Sequence, residues 1–157
     1  MRRLSPTLLA ASLALAASFA LAARAATTYN GSASGSQTAA ADGVSLNLNA
    51  AGDLPGVLTL SLKHEGGRVT GGSWTLTVLP PDAGATSAEK GRLSGVVGAG
   101  TLTLDANGIV SAAEGLQLNV QAGTGQYAAV SSGSGVLTLA ADPENASKLG
   151  GPLKFDF

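Results

Sequence analysis

Apolar and polar residues alternate with a period of two through most of the chain. Val44, Leu46 and Leu48 alternate with Ser45 and Asn47. Leu58, Leu60 and Leu62 alternate with Thr59 and Ser61, and Trp74, Leu76 and Val78 with Thr75 and Thr77. The stretch from Gly115 to Asp142 holds two more such runs, Leu116–Val120 and Val136–Leu139, on either side of a Gly-Thr-Gly turn, Tyr127 and a Ser/Gly segment. This period predicts β-strands with one dry and one wet face. The alternations span five to seven residues. Gly91–Val97 leads into Gly100–Leu104, Ile109–Ala113 returns, and Leu153–Phe157 supplies a last strand.

The breaks between these runs carry turn chemistry. Glu65-Gly66-Gly67-Arg68 and Asp105-Ala106-Asn107-Gly108 have the Gly and Asn-Gly steps that tight hairpins use. Pro80-Pro81 stops a strand, because proline cannot donate into a ladder. Asp82–Lys90 and Asp142–Lys148 read as polar loops. No helical spacing follows residue 25. Eight or nine strands with short links predict an all-β fold, a single antiparallel β-barrel of about eight strands, with a β-sandwich as second choice. Gly-x-Leu-Thr-Leu recurs at Gly56, Gly100 and Gly135 at unequal intervals, one strand recipe reused rather than a solenoid repeat.

The first 25 residues stand apart. Arg2 and Arg3 precede an apolar run from Leu8 to Ala23, and Ala23-Arg24-Ala25 offers a small-x-small cleavage pattern. This predicts a secretory signal peptide, 1–25, and an exported protein, periplasmic or extracellular. Residues 26–42 alternate weakly and are either a first strand or a poorly ordered segment, leaving 43–157 as the barrel domain. The Ala-rich, Lys-poor usage resembles bacterial proteins from GC-rich genomes.

Charge and composition then narrow the function. The chain has nine basic and ten acidic residues, and Arg2, Arg3 and Arg24 lie in the signal segment, so the remainder is acidic. That argues against nucleic-acid and anionic-membrane partners. There is no cysteine, which removes disulfide staples, thiolate metal sites and a lipidated-cysteine anchor. His64 is the one histidine, next to Glu65 at a predicted turn. It can build neither a His-rich zinc site nor, without a nucleophile elbow, a Ser-His-Asp triad. Most carboxylates fall on turns (Asp53, Glu65, Asp82, Asp105, Asp142), and solvation is their default. Glu114, at a strand entrance, is the acid least easily set aside.

Gly123-Thr124-Gly125-Gln126-Tyr127-Ala128, between an alternating strand and a Ser/Gly segment, resembles a signature of the allene oxide cyclase and dirigent barrel superfamily. Ala122 stands where that pattern has a further glycine. The resemblance implies an eight-stranded antiparallel barrel and a barrel isomerase or cyclase as one functional alternative. It places no catalytic group on a named residue here.

Leu153-x-Phe155-x-Phe157 resembles the C-terminal end of outer-membrane β-barrels, a second alternative. Against it stand the short alternations and the lack of aromatics for two interfacial girdles. The leading expectation is an exported, non-enzymatic barrel that binds a small apolar ligand or a surface partner. Trp74, Tyr127 and Glu114 are the ligand-binding candidates. Core packing is the default for the two rings. No catalytic residue, metal or cofactor is assigned.

Overall fold

The structure, a computed structural model, describes residues 25–40, 42–81 and 88–157. The expected signal peptide up to residue 24, residue 41 and part of the 82–90 loop lie outside the described residues. Nine strands follow in order: β1 (Thr28–Ala40), β2 (Gly43–Gly52), β3 (Gly56–Glu65), β4 (Arg68–Val78), β5 (Gly91–Val97), β6 (Thr101–Leu104), β7 (Val110–Gly123), β8 (Gly133–Asp142) and β9 (Asn145–Asp156).

Strands adjacent in sequence pair antiparallel, except that β5 pairs with β7 rather than with β6, and β1 pairs with β9, so the sheet closes on itself. The expected eight-stranded antiparallel barrel is present, with one additional short strand. That strand, β6, continues β5. Val78 faces Gly91 and Arg68 faces Thr101 in one unbroken alignment against β4. The two segments therefore share one place in the wall, parted by Gly98-Ala99-Gly100. Gly98 N donates to Gln117 O (2.8 Å) and Gln117 N to Ala99 O (2.8 Å) across the break.

Most strands are longer than the alternation suggests. β1 has 13 residues, β7 has 14 and β9 has 12. β7 joins two stretches that read separately in sequence, because a bulge between Ala113 and Leu116, with Gly115 at φ 58°, absorbs the phase change. β9 begins at Asn145, so the expected loop from Asp142 to Lys148 shrinks to a tight turn. Asp142 Oδ1 accepts from Glu144 N there (2.8 Å). β1 occupies most of 26–42. Past Tyr29, its inward positions are Gly31, Ala33, Gly35 and Gln37, too small or too polar to produce a clear hydrophobic period.

The aliphatic face of every stave points in. Leu48, Leu58, Leu76, Leu93, Leu116, Leu118 and Leu137 are wholly buried, and no polar residue is classed as buried among the described residues. Each large side chain so placed contributes about 1.5–3 kcal/mol, which the entropy of ordering the chain largely offsets. Trp74 and Phe155 are the largest members of the core, with ring centroids 5.3 Å apart. Outside, β1 to β4 present Ser34, Ser36, Ser45, Asn47, Thr59, Ser61, Ser73 and Thr75 to solvent or near it.

The two ends differ. Tight connections β1–β2, β3–β4, β6–β7 and β8–β9 form the turn end. Here Asp105 Oδ1 accepts from Asn107 N and Ile109 N (both 2.8 Å), fixing the Asn-Gly hairpin. His64, beside the predicted turn, is half-buried near this end, and its Nδ1 is out of water with no partner among the described residues. Inside the same end, Gln37 Nε2 donates to Val110 O (2.7 Å) while Val110 N donates to Gln37 Oε1 (2.8 Å). One side-chain amide thereby imitates a strand neighbour across the bore. The opposite end, the mouth, gathers residues 25–27, 53–55, 124–132 and Phe157.

Two predictions follow from this packing. A Cβ on Gly135 would lie 2.5 Å from Phe155 Cδ1 and 2.6 Å from Cε1. Gly135→Ala should cost about 1–3 kcal/mol through overpacking, read as a lower urea midpoint. Separately, the hydrogen bond from Thr28, with help from Lys154, holds the Asp156 carboxyl below its ordinary value of 3.8. The Ile109 and Asn107 amides do the same for Asp105. A depressed folded value stabilises the fold above the unfolded pKa, and that contribution is lost as pH falls through the folded value. Urea midpoints should fall as the pH drops below about 4, with a shallower fall in Asp156→Asn.

Candidate functional site

The mouth is built by two pieces of local chemistry. The first is the Gly123–Tyr127 segment. β7 ends at Gly123, and Thr124 Oγ1 accepts from Arg92 N (3.1 Å) while Thr124 N donates to Arg92 O (2.8 Å). A 3₁₀ turn, Gly125–Tyr127, follows, with Gln126 N bound to Lys90 O (2.9 Å). Both glycines are required. Gly125 has φ 60°, and a Cβ on Gly123 would lie 1.9 Å from Tyr127 O. The result sets the Tyr127 ring over the end of the barrel.

The second piece is the β1–β9 seam. Tyr29 on β1 lies opposite Phe155 on β9. Thr27 N donates to Phe157 O (2.9 Å) and Phe157 N to Thr27 O (3.2 Å), carrying the pairing past the strand ends. Tyr29 and Phe157 stack at 4.7 Å with 21° between their planes, and Tyr127 meets Phe157 edge-on at 6.3 Å. Phe157 also reaches Phe155 at 6.3 Å, and Phe155 reaches Trp74. All five aromatics beyond residue 24 thus form one connected array, from the core to the surface. Offset and edge-on pairs of this kind add about 0.5–1.5 kcal/mol each beyond the area they bury.

At its outer end the array opens into a cleft of about 430 Å³, walled by Tyr29, Tyr127, Phe157, Gln126, Ser131 and Ser132. The three rings are half-buried, with part of each in reach of a bound molecule. The volume is at the low end of the roughly 300–1,000 Å³ typical of small-molecule sites. Deeper in, a hollow beside Tyr29, Gly31, Leu54, Leu153 and Phe155 holds about 10 Å³, at the margin of what one water needs. The chain matches no family model, no curated protein and no solved structure.

The sequence candidates fall in three different places. Tyr127 stands in the cleft. Trp74 is 2 % exposed, deep in the core, and its Nε1 has no partner among the described residues. Glu114 is exposed at the β7 bulge opposite Thr101, on the outer wall toward the turn end. Nothing in the sequence marked Tyr29 and Phe157 as partners in a cleft, since they meet only through the pairing of the first and last strands. A broader groove of about 1010 Å³ lies on the outer wall along Ser34, Ser36, Asn47, Asn49, Asp142 and Lys148. It has no aromatic wall.

Partial burial, reinforced by the neighbouring Tyr29 hydroxyl, raises the Tyr127 pKa above its ordinary 10.0. In an absorbance titration at alkaline pH, the phenolate signal lost in Tyr127→Phe should have its midpoint above that of free tyrosine. A midpoint at or below the free value would mean the ring is not shielded as described.

Proposed function

We propose that this is an exported, non-enzymatic barrel that binds a small amphipathic molecule at its aromatic mouth. The observation that carries the reading is the connected array Trp74–Phe155–Phe157–Tyr29/Tyr127, whose outer rings share a cleft with hydroxyls and an amide. Rings anchor a ligand by area, and a few polar groups orient it. Phenols, serine hydroxyls and a carboxamide hold a molecule without exchanging protons near neutral pH, which favours binding over catalysis. A ligand inside the bore finds less support, because leucines and two large rings pack there.

Export rests on the pattern of residues 1–25. A water-borne address, periplasmic or extracellular, is favoured over a bilayer by the outer wall. The rows of Ser, Thr and Asn on β1 to β4 would each need a hydrogen-bond partner in hydrocarbon.

Benzyl alcohol, a neutral ring with one hydroxyl, is a suitable probe. Amide chemical shifts should move in 124–132 and around Tyr29 and Phe157, and the response should vanish in Tyr127→Ala with the rest of the spectrum retained. Shifts confined to the Leu and Val core, or none at all, would overturn the mouth as the site. Fractionation tests the address. The chain should leave cells with the soluble envelope fraction, and a requirement for detergent would refute a water-borne barrel.

A further inference from the structure

We infer that the ligand of the mouth is a neutral sugar ring, an inference that rests on the mouth being a binding site at all. Among the described residues, the cleft walls contain no charged side chain. Tyr29, Tyr127 and Phe157 supply aromatic surface, while Thr27, Gln126, Ser131 and Ser132 supply hydroxyls and one carboxamide. A charged ligand would find no side chain of opposite charge in the described walls. A purely apolar one would cover the four polar side chains and leave them unpaired, at a cost for each.

A pyranose suits both halves of the wall. Its C–H face lies against an aromatic ring, and its equatorial hydroxyls radiate to the rim. Gln126 offers a carbonyl and an amino group on one plane, matched to two neighbouring sugar hydroxyls, and Ser131 and Ser132 both donate and accept. The raised pKa of Tyr127 keeps its hydroxyl neutral and able to do both as well. The rings stand at two inclinations, Tyr29 nearly parallel to Phe157 and Tyr127 at 89° to it. A sugar seated on one ring would therefore have the edge of another beside it. The open side of the cleft leaves room for a glycan to continue outward, so a free sugar and the end of a polymer present the same chemistry.

Calorimetry and amide shifts on the full mature chain test this, with cellobiose and N,N′-diacetylchitobiose as neutral probes, digalacturonic acid as the charged one and naphthalene as the apolar one. At least one neutral disaccharide should bind and shift the 124–132 amides, digalacturonic acid should not, and naphthalene should bind more weakly. Tyr127→Ala should weaken the sugar up to about tenfold, the worth of one aromatic contact. Gln126→Ala, which leaves every ring in place, should weaken the sugar by a larger factor than it weakens benzyl alcohol. If benzyl alcohol binds at the mouth and neither sugar does, the sugar assignment falls and the site stands. If the folded chain binds none of the probes there, both fall. Chitin or cellulose pull-down then separates sources: retention on the polymer assigns a glycan end, and binding of the disaccharide alone assigns a free sugar.

Discussion

The pairing of β1 with β9 is the contact on which the rest depends. Nine residue pairs, from Thr28↔Asp156 to Ser36↔Lys148, convert a sheet with two open edges into a closed wall. Unpaired strand edges expose backbone donors and acceptors that invite aggregation, and closure removes them. The hydrogen bonds of the seam are ordinary. What they enforce is geometry, because only a closed wall gives the leucines an inside that water cannot enter.

The same seam assembles the mouth. Tyr29 comes from the first strand and Phe157 follows the last, and they stack because the strands that carry them are neighbours. Tyr127 arrives separately, on a turn whose two glycines let its backbone fold down onto the end of β7. The core and the cleft are therefore not independent. Phe155 packs on Trp74 below and on Phe157 above, so the packing of the bore sets where the outermost rings stand.

Much of the fold was legible because an antiparallel wall with one wet face writes its period into the sequence. Val44–Leu48, Leu58–Leu62, Trp74–Val78 and Leu137–Leu139 all point inward as their alternation implies. The Asn-Gly and Gly-Gly steps mark hairpins, and Asp105 shows the side-chain-to-backbone bonding expected of one. β1 was faint for a physical reason. Past Tyr29 its inward positions are Gly, Ala and Gln, so two flanking strands define it more than its own hydropathy does. β7 read as two pieces because a bulge shifts the phase without ending the ladder. Of the site, Tyr127 was visible from its glycine-flanked turn. Tyr29 and Phe157 were not, since no local pattern reports a contact between opposite ends of the chain. Trp74 was visible as a large ring on a dry face, and the structure places it among the core leucines. Glu114 stands beside the Gly115 bulge, a place where the local geometry leaves it in solvent.

Thr27 and Phe157 share two backbone hydrogen bonds at the mouth. Because the wall is finished only when the earliest and latest strands meet, the cylinder is inaccessible to a partly synthesised chain. Contacts of such long sequence separation slow folding, placing it in the millisecond-to-second range typical of all-β topologies. Until then β8 has no β9 to cover it and β1 has one bare side. The closed shape therefore requires both seam strands at once, and neither half of the chain can hold it alone.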